Sequence, residues 1–512
     1  MAFTLGNSYC FDDVLMEPLF SSISTRSSIS LETNIATNGR SLILKTPLIS
    51  SPMDTVTETQ MAIKMALCGG IGIIHRYMSI HEQVAQVEKV KRFLQYIIRN
   101  PYRVLPTTTY NELQELVLQN GVSTYCVVDS FESNNFLGIL TKRDIDAMME
   151  DQQPAINKNV SQYMSSYSQP NFQAVIATNT EVDNNATDLI NTTKKYMLEH
   201  RIEKIPILDS TNKSCLLGLI TLKNIRHLEN NHSRACIDST GALCVGASIG
   251  IVGDYMERLD ALVKAKVDMV CIDVANGYNE NVANAISKIR TKYPALVIMA
   301  GNVCNKTGYE YLANPLLDID CVRVGIGNGS ICTTRLETGI GKGQFSAVLE
   351  CFQSKVNKGL RTHIICDGGS LGKTGNKVKA LASGANAIML GRTLSSTEES
   401  PGNVIFRNGK RFKYIRGMAS TMANLSKQEK TVNSNKKLKL DIASEGVDGE
   451  QELSGSVADL IEQINAGLKS GFSYLGASNL EEVHKKGKNG EICFNITTSI
   501  GLSETGIRVR TY

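Results

Sequence analysis

The sequence has no C-x-x-C pair, no large excess of either charge, and no apolar run approaching ~18 residues. Each absence narrows the field. Thirteen cysteines, odd in number and scattered, do not read as a disulfide framework; free thiols in a reducing, cytoplasmic setting are expected. No transmembrane helix is expected, and MAFTLGNSYCFDDVL mixes charge with aromatics where a signal segment would be apolar. A formal charge of +4, with 20% charged residues, provides no basic face for nucleic acid. No strand–GxGxxG–helix fingerprint occurs, so a nicotinamide cofactor would not be held in the Rossmann manner. Gly372-Lys373-Thr374 ends like a Walker loop, but three residues separate it from Gly368 where four are needed. The seven histidines show no metal-ligand spacing.

What is present is a rhythm of short apolar runs ending in Gly, Asp or Ser. They are TPLISSPM (46–53), GGIGIIH (69–75), LCVGASIG (243–250), VDMVCID (267–273), LVIMAGNV (296–303), IDCVRVGIG (319–327), HIICDGG (363–369) and NAIMLG (386–391). Continuous apolar runs fit parallel strands covered on both faces. Helical periodicity fills the gaps, as in 254–267 and 279–293. Eight such units predict a (β/α)8 barrel with its functional residues at the strands' C-terminal ends; an open doubly wound sheet is the rival.

One gap is long. Residues ~97–232 read as an insertion dividing the barrel into 1–96 and 233–512. Within it FLGILTKRDI (136–145) returns as LLGLITLKNI (216–225), and Val128-Asp129-Ser130 returns as Leu208-Asp209-Ser210. Asn/Ser/Gln-rich stretches at 165–173 and 179–191 read as loops. The repeat resembles a tandem pair of cystathionine-β-synthase-type (CBS) domains, which bind purine nucleotides in other proteins. By that resemblance Asp144, in Thr141-Lys142-Arg143-Asp144, would hold a ribose, whereas the second copy has Asn224 there. Nucleotide sensing and a purely structural role both stay open.

The chemistry concentrates in four places. Gly325, Gly327 and Gly329 allow close backbone approach, and the N–H groups that follow them can ring a phosphate. Asp367-Gly368-Gly369 and Gly391-Arg392 end the seventh and eighth runs, the phosphate corner of a barrel; Asp367 suits vicinal ribose hydroxyls. Together they suggest a nucleoside monophosphate. Cys332 follows the sixth run, beside Ser330, Thr333, Thr334 and Arg335. Backbone donors and a guanidinium favour a thiolate nucleophile, although a free cysteine is more often inert packing.

Over nearly its whole length the chain resembles the IMP dehydrogenase/GMP reductase family. The resemblance is carried by YCFDDVLMEP (9–18), ISSPMDTVTE (49–58), GGIGIIHR (69–76), DVANGY (273–278), AGNV (300–303), VGIGNGSICTTR (324–335), CDGG (366–369), RGMAS (416–420) and SEGVDG (444–449). It implies that Cys332 attacks C2 of a purine nucleotide held by Ser51, Met53, Ser330, Asp367, Gly368, Gly369, Gly391, Met418 and Ala419. Arg392, where the family usually has a small residue, could add a cation to the phosphate site. The cofactor would lie near Asp273, Asn276 and Gly277, with Arg76 available for the 2′-phosphate of NADPH. A potassium ion would sit on carbonyls of Gly327, Gly329 and Cys332 with Glu504, and the family assembles as homotetramers that CBS pairs can join into octamers.

Two branches share the covalent adduct. The dehydrogenase branch oxidises IMP with NAD and uses an Arg-Tyr pair on a flap to activate water. Between Gly417 and Gly446 this chain has neither Arg nor Tyr, and it has Glu445 where that branch carries Gln. Protonated, a carboxylate can supply the proton that ammonia needs to leave, which an amide cannot. The expectation is therefore a GMP reductase with Cys332, Thr334 and Glu445 as catalytic residues, NADPH as cofactor, and GMP and IMP as substrate and product. An IMP dehydrogenase and a catalytically inactive nucleotide sensor are the alternatives.

Overall fold

The eight apolar runs become eight parallel strands whose residues are almost all buried, as the continuous patterning requires. In the computed structural model they are β1 (Leu48–Ser50), β2 (Ile71–Ile74), β3 (Val245–Ile249), β4 (Met269–Asp273), β5 (Val297–Val303), β6 (Cys321–Val324), β7 (His363–Asp367) and β8 (Ala387–Leu390). They pair in chain order from β3 to β8; β8 continues to β1, β1 to β2, and β2 returns to β3. The barrel is closed, so the open-sheet rival falls. Residues 6–93, 97–151, 158–183, 187–231, 234–418, 445–498 and 501 are described.

Helices follow the strands: α1 (Thr59–Leu67), α2 (Ile80–Arg92), α3 (Tyr255–Lys264), α4 (Glu280–Lys292), α5 (Lys306–Leu312), α6 (Gln344–Lys358), α7 (Thr374–Ala382) and α8 (Val457–Tyr474). Each turns an apolar stripe inward; on α4 these are Val282, Ala285, Ile286 and Ile289. The barrel interior is filled by Ile49, Ile73, Cys271, Met299, Cys321, Ile365 and Met389, so it is a packed core with function left to its rims. Below it, Arg40 binds Asp318 and Asp320 at 2.8 and 2.9 Å. Among the described residues no helix is long and apolar enough to cross a membrane.

Two compact units result. One comprises Met1–Lys91, Arg234–Asp238 and Leu243–Tyr512; the other comprises Arg92–Ser233 and Ser239–Ala242. The repeat in the second unit is structural. Hairpin Tyr125–Val128/Phe136–Leu140 precedes helix Lys142–Glu150, and hairpin Lys204–Asp209/Leu216–Thr221 precedes helix Leu222–Asn231. Both hairpins shift register at the same place, Val127/Val128 and Ile207/Leu208. Asp129 and Asp209 tie the turns that follow, through Ser133 with Asn135 and through Thr211 respectively.

The expectation of a loop at 179–191 fails. Helices Asn179–Asp183 and Thr187–His200 occupy most of it. Composition misled because Asn179 and Asn191 are exposed, while Thr178 and Glu181 cap the first turn reciprocally and Val182, Ile190 and Met197 are buried.

Between α7 and β8, Gly384 has φ +111°, and a Cβ there would lie 2.0 Å from Cγ of Phe352 on α6. Gly384→Ala is expected to cost about 2 kcal/mol or more, read as a lower urea midpoint for the barrel unit.

Candidate active site

At the barrel's C-terminal mouth, the loop after β6 is folded around its own arginine. A Cβ on Gly327 or on Gly341 would lie 2.6 Å from Cγ of Arg335, and one on Gly325 would lie 2.3 Å from the Asp367 carbonyl. Gly325 and Gly327, expected to help ring a phosphate, thus also meet a packing demand within the protein. Asn328 fastens the loop to the turn after β7: its Nδ2 donates to the Asp367 carbonyl at 2.9 Å, and its carbonyl accepts from Gly369 N–H at 3.2 Å.

Cys332 is reached by a distant segment. It forms an antiparallel bridge with Gly446; Thr333 N–H donates to the Glu445 carbonyl at 2.9 Å, and Val447 N–H to the Ile331 carbonyl at 3.0 Å. This pairing carries the Glu445 side chain alongside. The Thr334 hydroxyl donates to Glu445 Oε2 at 2.7 Å and lies 3.1 Å from Cys332 Sγ. A hydroxyl has one hydrogen, so with that hydrogen on the carboxylate Thr334 accepts from the Cys332 thiol. All three side chains belong to half-buried residues.

A second cluster, not anticipated from the sequence, crosses the mouth. Arg323, in β6, donates from Nε to Asp367 Oδ2 at 2.8 Å and from Nη1 to Asp273 Oδ1 at 2.5 Å. Asn302 Nδ2 donates to Asp367 Oδ2 at 2.8 Å and to the Gly325 carbonyl at 2.7 Å. Burial works against the Arg323 charge, yet the Asp367 and Asp273 carboxylates outweigh it and hold the guanidinium more firmly protonated than usual. The signal was available: CVRV puts a cation inside an apolar strand, and a buried cation needs anions.

The residues expected to hold a nucleotide gather on the same rim. Ser51 N–H donates to the Leu390 carbonyl at 3.0 Å, and a Cβ on Gly391 would stand 3.2 Å from Met53 Sδ. Gly368 and Gly369 turn with φ +76° and +89° beside Asp367. Arg392 and Ser330 are exposed. Met418 is anchored by Asp54 N–H to its sulfur at 3.3 Å and by the Tyr77 hydroxyl to its carbonyl at 3.1 Å. Arg416 clasps Asp54, with Nε donating at 2.7 Å. Ala419 lies outside the described residues.

On the cofactor side, Gly277 is buried with its N–H on the Asn302 carbonyl at 2.7 Å, while Asn276 is exposed and accepts from Tyr278 N–H at 3.0 Å. Arg76 donates to the Asp273 carbonyl at 3.4 Å, and its Nε is buried with no hydrogen-bond partner. An arginine with an unsatisfied donor at this rim fits an anionic group of a dinucleotide. In the cysteine loop, the Gly329 carbonyl already accepts from Cys332 N–H at 3.1 Å, so a cation would share it; Glu504 lies outside the described residues. In the other unit, Asp144 accepts from both Thr141 N and Oγ1 at 2.7 Å, closing a capping box.

The chain matches the IMP dehydrogenase / GMP reductase domain over residues 8–507. It is 37% identical over 499 residues to the inosine-5′-monophosphate dehydrogenase of Bacillus subtilis, covering 97% of this chain and 94% of that one. It is 36% identical over 480 residues to the enzyme of the same name from Nitrosopumilus maritimus, covering 93% and 94%. Among solved structures, a GMP reductase variant from Trypanosoma brucei in complex with guanosine 5′-monophosphate superposes with a TM-score of 0.84 at 33% identity, covering 99% of each chain. The Trypanosoma brucei GMP reductase in complex with guanosine 5′-triphosphate gives 0.74 at 29% identity, covering 97% of this chain and 99% of that one. The chain belongs to the IMP dehydrogenase/GMP reductase family and is an oxidoreductase of that family, whose chemistry uses a nicotinamide cofactor.

Burial separates the thiols. It pushes Cys126, Cys271 and Cys366 up to about 12, whereas Cys332 is half-buried and Cys493 exposed. Iodoacetamide at pH 8 is therefore expected to label Cys332 and Cys493 well before those three, as read by peptide mapping.

Proposed function

We propose that the chain is a GMP reductase, converting GMP to IMP and ammonia at the expense of NADPH. The observation that carries this reading is the hydrogen-bonded series Cys332–Thr334–Glu445. Cys332 sulfur bonds to C2 of GMP as its proton moves along Thr334 toward Glu445. Protonated Glu445 then gives that proton to the 2-amino group, the C2–N bond breaks, and ammonia leaves a thioimidate on Cys332. When bound against Asp273, Asn276, Gly277 and Arg76, NADPH supplies the hydride for C2. Cys332 departs as thiolate and IMP is released. Asp367 accepts from the ribose hydroxyls, and the Ser51, Gly368–Gly369, Gly391 and Arg392 rim meets the phosphate.

An acid at 445 suits this reaction because ammonia needs a proton to leave, and a glutamine amide cannot provide one. Oxidation of IMP would need a base for water, and 417–446 contains no Arg or Tyr to form the flap pair of the dehydrogenase branch. We propose a regulatory purine nucleotide for the repeat unit from its likeness to a CBS pair; the Trypanosoma brucei reductase solved with guanosine 5′-triphosphate shows that a relative binds such a nucleotide.

Absorbance at 340 nm tests the assignment. GMP with NADPH should lose absorbance, while IMP with NAD should give no gain. The opposite pair of results assigns the dehydrogenase activity for which the Bacillus and Nitrosopumilus relatives are named. Glu445→Gln is expected to lower reductase kcat by about 100-fold or more while GMP still binds, and Cys332→Ser to abolish turnover. GMP should protect Cys332, and not Cys493, from alkylation.

A further inference from the structure

Arg323 takes no part in the chemistry above, yet it is the one described side chain that touches both Asp367 and Asp273. Its side chain is 10% exposed, and the two carboxylates are 18% and 22% exposed. One cation thus serves two anions, and neither carboxylate is fully engaged. Asp367 places only Oδ2 on Arg323 and Asn302, and Asp273 only Oδ1 on Arg323. The guanidinium is a rigid planar fork: one edge meets Asp367 and another meets Asp273, so it cannot move toward one carboxylate without moving relative to the other.

We infer that Arg323 is a positioning residue that couples the nucleotide site to the cofactor site by sharing one guanidinium between Asp367 and Asp273. This rests on the functional reading only for which ligand meets which carboxylate. Ribose hydroxyls donating to Asp367 draw off part of the negative charge that faces Arg323, and the fork then holds Asp273 more strongly. Conversely, removing the Asp273 charge leaves Arg323 wholly to Asp367. The tighter ion pair makes Asp367 a poorer acceptor for the ribose. Asn302 keeps the exchange within this group by fixing Asp367 Oδ2 to the Gly325 carbonyl loop. A merely structural Arg323 would lower stability when changed, but it would not carry an Asp273 substitution to a nucleotide on the other side of the mouth.

The test is calorimetric titration of GMP and of IMP into the full chain with no nicotinamide nucleotide present. Asp273→Asn, close to isosteric, is expected to weaken nucleotide binding by about fivefold or more. In an Arg323→Lys background the same change is expected to have less than about a twofold effect, since the lysine ammonium cannot span both carboxylates as the fork does. Reciprocally, Asp367→Asn should shift KM for NADPH beyond its effect on kcat. Unchanged nucleotide affinity in a folded Asp273→Asn protein, checked by its melting temperature, overturns the coupling. If that variant does not fold, the KM for NADPH of Asp367→Asn decides, and an unchanged value overturns it. A wild-type chain that binds neither GMP nor IMP overturns the functional reading together with the coupling, whereas binding without transmission overturns the coupling alone.

Discussion

A short stretch of backbone pairing brings the barrel's thiol, hydroxyl and acid together. Residues 331–333 pair with 445–447, and only through that pairing does the Glu445 carboxylate, 111 residues after Thr334, reach its hydroxyl. The surrounding structure defends the contact from both sides. Strand Asp448–Glu452 lies antiparallel to Lys410–Arg416, with Arg416 opposite Asp448. Arg416 is clasped by Asp54, and Met418 is held by Asp54 and Tyr77. Residues 416–418 and 445–447 are therefore fixed to the loops after β1, β2 and β6, so the acid's position is set by several independent contacts.

The fold was legible because parallel strands covered on both faces leave an unbroken apolar signature. All eight runs became strands, from Leu48–Ser50 to Ala387–Leu390. Closure followed from their number and not from any one residue. The site was legible where motifs carried it: Cys332, Thr334 and Glu445 are brought together. It was illegible where tertiary contacts give a residue its meaning. Arg323 looked like one polar letter in a strand, and nothing local says that its partners lie one strand ahead and two strands behind. Helices Asn179–Asp183 and Thr187–His200 were hidden for a related reason, since asparagine-rich composition resembles a loop until the buried Val182, Ile190 and Met197 are seen. Gly327 looked like freedom given to a ligand, and much of it is taken by Arg335.

On the proposed reading, the choice between the family's two reactions turns on the acid at 445 and on the lack of Arg and Tyr in 417–446. On that reading too, Asp367 and Cys332 meet the purine nucleotide whichever direction electrons flow. The first of these differences is whether the group beside Thr334 can release a proton. A strand bridge that fixes residue 445 by its backbone lets that side chain vary without moving it, so the site's architecture need not change when its chemistry does.

Thr334 has one hydrogen between two groups that can each bear negative charge. That hydrogen can point to the carboxylate, with the thiol donating to the hydroxyl oxygen, or turn to a bare sulfur and leave the carboxylate oxygen free for the proton the sulfur gave up. The hydroxyl therefore works against two unshielded anions side by side, and along the proposed reaction the formal charge of Cys332 and Glu445 together stays at minus one. A substrate without a formal charge on its base meets the same electrostatic surroundings at every stage, and little reorganisation of the neighbouring dipoles is required.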